Sequence, residues 1–381
     1  MTGEADSGVP VSASNVLVTG GAGFIGSCFV RQRLSNRASI ASDPCETRAG
    51  QPGTVVVLDK LAYSGSRLSL PDHHPRLQFV HGDVCDRDLV AKLLADYAIQ
   101  QVVHLAAETH VDRSIDSAEP FVQSNVVGTA RLLEASLEHW RRLPEPARSR
   151  FRVLHVSTDE VYGSLGDSGS FVETTPYDPS SPYSASKAAA DHFARAYHRT
   201  YGLPVMISNC SNNFGPYQFP EKLIPVMILN AYEGRELPVY GDGLQVRDWL
   251  HVEDHVDALE LILRAGKPGE SYNIGGDCER RNVELVEAIC DCVDRLRPNL
   301  PHAPCRSLIR HVVDRPGHDR RYAIDSSKLK QTLGWHCRSK FEDRLEETVQ
   351  WYLDNSQWLA DLGVHRQRRG LNQSNQPQAE A

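Results

Sequence analysis

The sequence has no apolar run of membrane-spanning length and no excess of positive charge. No segment approaches the roughly 18 consecutive apolar residues of a transmembrane helix, and residues 1–14 lack the basic region and apolar stretch of a signal peptide. The formal net charge is −8, so the chain lacks the basic face that would displace counterions from nucleic-acid phosphates. We therefore expect neither a membrane nor a nucleic acid as a partner.

The cysteines form no CxxC pair and their total is odd. Nine cysteines are scattered along the 381 residues, and the only close pair, Cys290 and Cys292, lies in a helical pattern. Such a distribution favours free thiols in a reducing compartment over a disulfide framework or a zinc site. We predict a cytoplasmic protein without a bound metal.

Short apolar runs alternate with helical patterns over the first half of the chain. This alternation predicts a parallel sheet with helices on both faces, that is, an α/β fold with a Rossmann-type doubly wound sheet. The predicted strands lie near residues 15–19, 54–58, 77–80, 101–105, 153–156 and 205–207, with helices near 87–97, 125–140 and 183–201.

The first predicted strand leads directly into a glycine-rich turn and then a helical pattern. Gly20, Gly23 and Gly26 are spaced three residues apart at this point. Glycine lets the backbone turn tightly and approach a pyrophosphate, whose charge is met by N–H groups and the positive end of the helix. A glycine-rich turn alone is about as often a plain structural corner, but its flanking strand and helix favour dinucleotide binding.

An acidic residue at the end of the second strand would accept hydrogen bonds from the adenosine ribose. Asp59 has this position, although the polar stretch 35–53 places it later than the roughly 20 residues usual after the glycines. Asp43 has the more usual spacing but follows no apolar run. A carboxylate at Asp59 would repel a 2′-phosphate, which favours NAD over NADP. Asp83, after the third strand, is predicted either to hold the adenine or to cap a helix.

Beyond Asn209 the sequence changes to loops rich in Gly, Pro and Asn between helical patterns at 223–232, 252–264, 283–296 and 341–354. We expect this half to form a smaller C-terminal substrate-binding domain that completes a cleft. The predicted organisation is a flexible segment at 1–14, an NAD-binding domain at 15–209 with a surface insertion at 35–53, a mainly substrate-binding domain at 210–360 with some segments returning to the sheet, and a disordered tail at 361–381.

The fifth predicted strand ends in Thr158, Asp159 and Glu160, at the edge of the sheet where α/β proteins bind ligands. An isolated Asp-Glu pair is more often a solvated loop or a helix cap. The position at a strand end and the pair described next favour a catalytic function here.

Tyr183 and Lys187 are four residues apart and therefore share one face of a predicted helix. A phenol with a pKa near 10 is a poor base at neutral pH, but a neighbouring ammonium group favours the phenolate. The spacing alone is common in surface pairs. Following a strand, glycine turn and helix, it predicts hydride transfer from an alcohol.

At these residues the sequence resembles the extended short-chain dehydrogenase/reductase (NAD-dependent epimerase/dehydratase) family, and within it the dTDP-glucose 4,6-dehydratases. The likeness runs from about Asn15 to Asp354. The Thr-Asp-Glu triplet is the dehydratase version of the strand end, whereas epimerases and decarboxylases lack the acid pair. Further similar segments are 104–114, 211–217, 220–225, 247–250 and 314–321.

The resemblance implies a role for each matching residue. Those implied to contact NAD are Gly20, Gly23, Phe24, Ile25, Gly26, Asp59, Lys60, Leu61, Asp83, Val84, Leu105, Ala106, Ala107, Thr109, Ser124, Tyr183, Lys187 and Asn212. Those implied to contact the sugar nucleotide are Thr109, Thr158, Asn213, Lys222, Leu223, Pro238, Tyr240, Arg247, Asn282, Asp314, Arg315 and His318. The chain departs from the usual residue at Ser66, Thr109, Ser124 and Phe214 and by the insertion before Asp59.

Arg247 and Arg315 also fit this site on chemical grounds. In a net-negative chain, planar and permanently charged guanidinium groups are suited to clamp a pyrophosphate. The alternative is surface ion pairing, because Asp248, Asp314 and Asp319 are close in sequence.

The predicted activity is the dehydration of dTDP-glucose to a 4-keto-6-deoxy sugar, an intermediate in deoxysugar biosynthesis. Tyr183 would take the C4 hydroxyl proton, Glu160 the C5 proton, and a protonated Asp159 would donate to the departing C6 hydroxyl. UDP-glucose stays open as the substrate, as do a 4-epimerase or decarboxylase activity and, from another class, a non-catalytic NAD-binding regulator. The resemblance implies a homodimer.

Overall fold

The computed structural model describes residues 14–35, 53–314 and 317–363. Most of the predicted insertion and the two predicted flexible ends lie outside these ranges, as do Cys45 and Arg315. The eight cysteines within the described ranges are all free thiols. In the same ranges, no helix is long and apolar enough to cross a membrane, and no three His, Cys, Asp or Glu side chains cluster as metal ligands.

The strands and helices alternate through the first half of the chain. The strands are β1 (Val16–Thr19), β2 (Val55–Asp59), β3 (Leu77–His81), β4 (Gln101–His104), β5 (Arg152–Thr158), β6 (Val205–Cys210), β7 (Asn212–Phe214), β8 (Leu237–Tyr240), β9 (Val246–His251), β10 (Ser271–Ile274), β11 (Glu279–Arg281) and β12 (Ile309–Val312). The helices are α1 (Phe24–Leu34), α2 (Arg87–Asp96), α3 (Val111–Asp116), α4 (Glu119–Phe121), α5 (Gly128–Arg142), α6 (Ala147–Arg150), α7 (Pro182–Tyr201), α8 (Leu223–Glu233), α9 (Val252–Ala265), α10 (Asn282–Leu296), α11 (Ser327–Leu333), α12 (Phe341–Asp354) and α13 (Ser356–Asp361).

A seven-stranded sheet has the order β10, β6, β5, β4, β1, β2, β3, and all its neighbouring strands are parallel. This confirms the predicted doubly wound parallel sheet. The chain moves outward from β1 in both directions, so the crevice between the carboxyl ends of β1 and β4 is the expected place for a ligand. Two smaller sheets, β11-β9-β7 and β12-β8, lie outside it.

Alternate side chains of each strand pack on opposite faces of the large sheet. In β1, Val16 and Val18 join a buried cluster with side chains of α1 and α9, whereas Leu17 joins one with side chains of α2, α5 and α7. Because both faces are covered, β1 and β2 are buried throughout their length, as parallel strands usually are. A third cluster is built from residues between Phe214 and Leu359.

The predicted helix at 125–140 differs from the structure at its beginning. Val122–Val127 forms a π-helical segment, and α5 starts only at Gly128. In this segment the Asn125 side chain accepts from the Glu108 backbone N–H at 2.8 Å and donates to the Glu108 carbonyl at 3.0 Å. These bonds tie the segment to the loop after β4, and π-helical turns often occur at functional sites.

Segments beyond residue 209 return to the large sheet. Strand β10 pairs with β6 at its edge, and α9 packs against α1 below the first strands. The apolar residues of α9 are buried in the same cluster as those of β1. The helix at 252–264 therefore contributes to the core of the sheet and not to a separate cap. Its buried side chains cover the part of the sheet's face that lies beside α1. The limits of the two domains stay predictions.

Candidate active site

The glycine turn between β1 and α1 leaves no room for side chains. Gly20 has φ +70°, and a Cβ there would lie 2.6 Å from the Ala106 amide nitrogen. A Cβ on Gly26 would lie 2.2 Å from the Gly20 carbonyl oxygen. Helix α1 starts after Gly23 without a side-chain cap, so the backbone N–H groups of its first turn face the cavity as a cradle suited to an anion.

Asp59 ends β2 at the edge of this cradle and is only 8% exposed. Its two carboxylate oxygens accept from the backbone N–H groups of Ala22 at 2.9 Å and Leu61 at 2.8 Å. Burial raises the pKa of Asp59, and the two backbone bonds partly oppose that shift. Asp59 thus fixes the glycine turn and retains acceptor capacity on the cavity side.

Asp83 does not cap helix α2, which was one of its two predicted roles. The cap of α2 is Asp86, whose side chain accepts from the Leu89 N–H at 3.0 Å. Asp83 instead lines the cavity, and its carboxylate lies 3.7 Å from the Lys60 ammonium group. Lys60 also donates to the Ser124 hydroxyl at 2.6 Å.

The acid pair lies at the end of β5, where the strand passes into a short 3-10 helix over Asp159–Tyr162. Thr158 caps this helix, since its hydroxyl accepts from the Glu160 N–H at 3.3 Å. The same hydroxyl donates to the Asp159 carboxylate at 3.3 Å. One threonine side chain therefore contacts both residues of the acid pair.

Asp159 and Glu160 have different surroundings. Asp159 is 2% exposed, and its pKa is raised well above the ordinary value by burial first and then by the charges of Glu160 and Asp248. Arg247 partly opposes this shift. Glu160 is only partly buried. The raised pKa favours the protonated form of Asp159, whereas Glu160 lies nearer to solvent.

Tyr183 and Lys187 begin α7, which has a capping box at Ser181 and a proline at its first position. The Lys187 ammonium group donates to the Val156 carbonyl at 2.8 Å. Burial, followed by the charge of Glu160, raises the pKa of Tyr183 well above its ordinary value. Burial and the Glu160 carboxylate favour the neutral phenol in the protein alone, and the phenolate stays a prediction.

A single cavity brings most of the predicted residues together. Of the predicted cofactor residues, all but Leu61 line it, and Leu61 supplies only its N–H to Asp59. The predicted catalytic residues line it as well. So do the following predicted substrate residues: Thr109, Thr158, Asn213 and Lys222.

The other predicted substrate residues lie outside the lining of this cavity, in the C-terminal part. They are Leu223, Pro238, Tyr240, Arg247, Asn282, Asp314 and His318. Several form a second group: the His318 ring lies 5.9 Å from the Tyr240 ring and its Nδ1 2.6 Å from an Asp314 oxygen, whose other oxygen accepts from Gln245 at 2.8 Å. The prediction for Arg315 falls outside the described residues.

Arg247 is buried, whereas the alternative interpretation placed it in an ion pair on the surface. It is 6% exposed, and its guanidinium group lies 4.4 Å from the centre of the Tyr322 ring. Its Nη2 donates to the backbone carbonyl of Asp319 at 3.0 Å. Two backbone bonds and one aromatic contact thus hold it beside Asp159.

The cavity is also lined by residues that the sequence did not single out. Glu108, Glu221 and Cys210 are among them. Glu221 accepts from the Tyr63 hydroxyl at 2.9 Å, and burial raises its pKa. Glu108 and Glu221 lie in segments that carry the family resemblance. Cys210 ends β6 beside Thr158. Because ligands bind at the carboxyl ends of parallel strands, the end of β6 would have indicated Cys210.

Comparison with known proteins agrees with this geometry. Residues 17–348 match the family model described as GDP-mannose 4,6 dehydratase. The dTDP-glucose 4,6-dehydratase of Xanthomonas campestris pv. campestris (strain B100) is 53% identical over 93% of this chain and 97% of the relative. That of Neisseria meningitidis serogroup B is 52% identical over 93% and 98%. The chain belongs to the dTDP-glucose 4,6-dehydratase family.

Solved structures extend this family likeness to the fold. DesIV, the dTDP-glucose 4,6-dehydratase of Streptomyces venezuelae, was solved with NAD and dTDP bound and has a TM-score of 0.80 at 46% identity, covering 91% of this chain and 99% of that one. A UDP-glucose 4-epimerase from Thermotoga maritima has a TM-score of 0.76 at 26% identity, covering 90% and 99%. The scaffold is therefore common to dehydratases and epimerases, and the distinction rests on the site.

The glycine cradle gives a first test. In Gly26→Ala the new methyl group would meet the Gly20 carbonyl at 2.2 Å, so the turn must shift. We expect dinucleotide affinity to fall at least tenfold, about 1.4 kcal/mol, measured as NAD released from the purified, denatured protein and as NAD titration. Gly166→Ala is the matched control, since a Cβ there meets nothing within 4 Å. Equal NAD content in both variants would contradict the cradle.

Proposed function

We propose that this protein is a hydro-lyase that converts dTDP-glucose to dTDP-4-keto-6-deoxyglucose with NAD as a bound cofactor. One observation carries the proposal: the carboxyl groups of Asp159 and Glu160 share a cavity with Tyr183, Lys187 and the glycine cradle. A redox pair alone suits many alcohol oxidations, but an adjacent acid and base are what an elimination needs in addition.

The residues of the cavity fit NAD. The cradle at Gly20–Gly26 suits a pyrophosphate, and the Asp59 carboxylate suits a ribose with free hydroxyl groups. Asn212 presents a buried side-chain oxygen with no hydrogen-bond partner among the described residues, and it lines the same cavity. When bound, NAD supplies a positively charged nicotinamide ring that takes hydride from sugar C4 and later returns it to C6.

For the oxidation, Tyr183 first releases its phenolic proton to solvent and then, as the phenolate, takes the proton of the C4 hydroxyl. The phenol is neutral in the protein alone, so it needs positive charge nearby at the moment of proton transfer. Lys187, held by the Val156 carbonyl, is the protein's source of that charge. Thr158 assists ionisation, because it acts to lower the pKa of Tyr183.

For the elimination, the two acids divide the proton transfers. The C4 ketone makes the C5 proton acidic, and Glu160, the more exposed carboxylate, removes it. Asp159 keeps its proton because it is buried next to another carboxylate, so it can donate to the departing C6 hydroxyl. Glu160 then returns a proton to C5 when C6 is reduced.

In this proposal, the second group of predicted substrate residues binds the nucleotide end of the substrate. Arg247 and Arg315 would meet the diphosphate as planar cations. The thymine base is preferred because the relatives named above act on dTDP-glucose.

Product analysis tests the proposal directly. We expect the purified protein to convert dTDP-glucose in deuterated water to a 4-keto-6-deoxy product carrying one deuterium at C5, because Glu160 exchanges its proton with solvent before returning it. Proton NMR of the product checks this, and UDP-glucose run in parallel measures base preference. A 4-epimer as product, or binding without turnover, would support the epimerase or regulator alternatives and overturn the dehydratase proposal.

Glu160→Gln separates oxidation from elimination. The amide cannot take the C5 proton, so we expect the elimination to slow by about 10² to 10⁴-fold, while absorbance of the reduced cofactor still rises after dTDP-glucose is mixed in. Glu236→Gln, an exposed exchange of the same kind, is the control and should leave both steps unchanged. An equal loss of both steps in Glu160→Gln would contradict the assigned role.

A homodimer is the proposed assembly. Ile115 on α3 is 44% exposed, Val122 on the π-helical segment 50% and Phe193 on α7 41%, and α7 contacts both of the other segments. Apolar side chains grouped in this way suit an interface between two copies. Cytoplasmic location stays a prediction from the sequence.

Light scattering tests the assembly. We expect a mass near twice 42.4 kDa for the natural chain, and a monomer for the double variant Val122→Asp with Phe193→Asp, because two charges would be buried on each side of the interface. Val172→Asp is the matched control, since Val172 is 40% exposed elsewhere in the chain. A dimer that survives the double variant would place the interface on another face.

A further inference from the structure

Helix α7 carries a third buried polar side chain in line with Tyr183 and Lys187. Asp191 follows Lys187 by four residues, as Lys187 follows Tyr183, so all three lie on one face of the helix. Its side chain is 0% exposed, and it does not line the cavity. A fully buried carboxylate away from the substrate needs a physical explanation.

The Asp191 carboxylate is surrounded by four donors from three parts of the chain. His155 Nε2 on β5 lies 2.9 Å from one oxygen. The other oxygen accepts from the Ser157 hydroxyl at 2.8 Å, the Tyr177 hydroxyl at 2.8 Å and the Asn209 amide at 3.4 Å. Only the ionised form accepts from all of them, so Asp191 is held as an anion.

The protonation of this pair follows from the same contacts. Burial acts to raise the pKa of Asp191, but hydrogen bonding and charge at His155, with Lys187 and Ser157, lower it below its ordinary value. Burial and the charge of Lys187 lower the pKa of His155, whereas its hydrogen bond to Asp191 and the charge of Asp191 act to raise it. The contacts around Asp191 favour its carboxylate form.

Lys187 is a cation whose charge acts to lower the pKa of Asp191. Its side chain is buried, and within the described residues its printed hydrogen bond goes to the Val156 carbonyl. Burial lowers the pKa of Lys187, and Asp191 is the strongest influence that opposes this shift. A buried ammonium group without an anion nearby tends to lose its proton.

The ionisable groups facing the pair come from every strand and helix around it. Those facing Lys187 are His104 on β4, His155 on β5, Cys210 on β6, and Tyr183 and Asp191 on α7. Those facing Asp191 are His155, Tyr162, Tyr177, Lys187 and Arg195. Both histidines have lowered pKa values, so Asp191 is the anion among these groups at neutral pH.

We propose that Asp191 is a positioning residue that keeps Lys187 in its ammonium form and acts on the substrate only through Lys187. The inference rests on the proposed function, in which the lysine charge assists Tyr183. A purely structural role is the competing explanation, because Asp191 also ties α7 to β5, β6 and the loop of Tyr177. The two differ in their dependence on pH.

Asp191→Asn removes the charge and keeps the shape. Without the anion, Lys187 loses its proton at lower pH, so we expect the alkaline limb of the kcat/KM profile for dTDP-glucose to move down by at least one pH unit. A shift of one pH unit corresponds to about a fivefold loss at the old midpoint, mainly in kcat, with a smaller loss near pH 6. Asp191→Glu, which restores the charge, should return the limb towards its natural position.

Tyr177→Phe is the matched control. It deletes one hydrogen bond to Asp191 but leaves the charge, so the alkaline limb should stay in place even if overall activity falls. A uniform loss across all pH values in Asp191→Asn, with the limb unmoved, would overturn the proposal and leave a structural role.

A direct titration keeps the proposal testable if Asp191→Asn fails to fold. In the natural protein labelled with [13Cε]lysine, the Lys187 signal, identified by its loss in Lys187→Arg, should stay in the ammonium position through pH 9. A neutral Lys187 at pH 7.5 would overturn the proposal. This readout needs no turnover, so failure of the natural protein to convert dTDP-glucose would count against the proposed function and not against Asp191.

Discussion

Burial of charged and polar groups at the carboxyl edge of a parallel sheet is the constraint on which this protein depends. Parallel strands bring their carboxyl ends to one edge, and helices on both faces exclude water beneath that edge. Thr158 and Cys210 end neighbouring strands there, and α7 passes directly behind them. The ionisable groups that are buried at this edge must share protons with their neighbours or be balanced by a nearby charge.

Three levels of burial give three different acid-base groups. Asp159, at 2% exposure, is stabilised as an acid. Glu160, which has more contact with the open cavity, is suited to be the base. Tyr183 is neutral until positive charge approaches it. Exclusion of water thus produces an acid, a base and a tyrosine that ionises only near positive charge, all within one strand end and one helix turn.

Much of this arrangement could be predicted from the sequence. The first six strands were predicted within a few residues because their apolar runs are short and bounded by polar turns, and the helix at 341–354 was predicted at its observed limits. The cavity gathers the predicted cofactor residues because glycine spacing and strand ends specify backbone geometry locally. Local sequence patterns do not show how charges are arranged in three dimensions. The neutral form of Tyr183 was therefore not predicted.

The remaining differences have the same origin in long-range contacts. The π-helical segment depends on Asn125 bonding Glu108, a residue 17 positions away in the chain, which no helical periodicity records. The return of β10 to the sheet depends on an open edge at β6. Likewise, the pairing of Asp191 with His155 joins a helix to a strand 36 residues earlier, and only the folded chain places that anion beside the lysine.

In the proposed reaction, one molecule of sugar is oxidised at C4 and reduced at C6 within a single cavity. The most direct measurement uses dTDP-glucose that carries deuterium at C4, with NMR and mass analysis of the product. The account predicts that the deuterium leaves C4 and appears at C6 of the same molecule. Deuterium retained at C4, or lost to solvent, would contradict it.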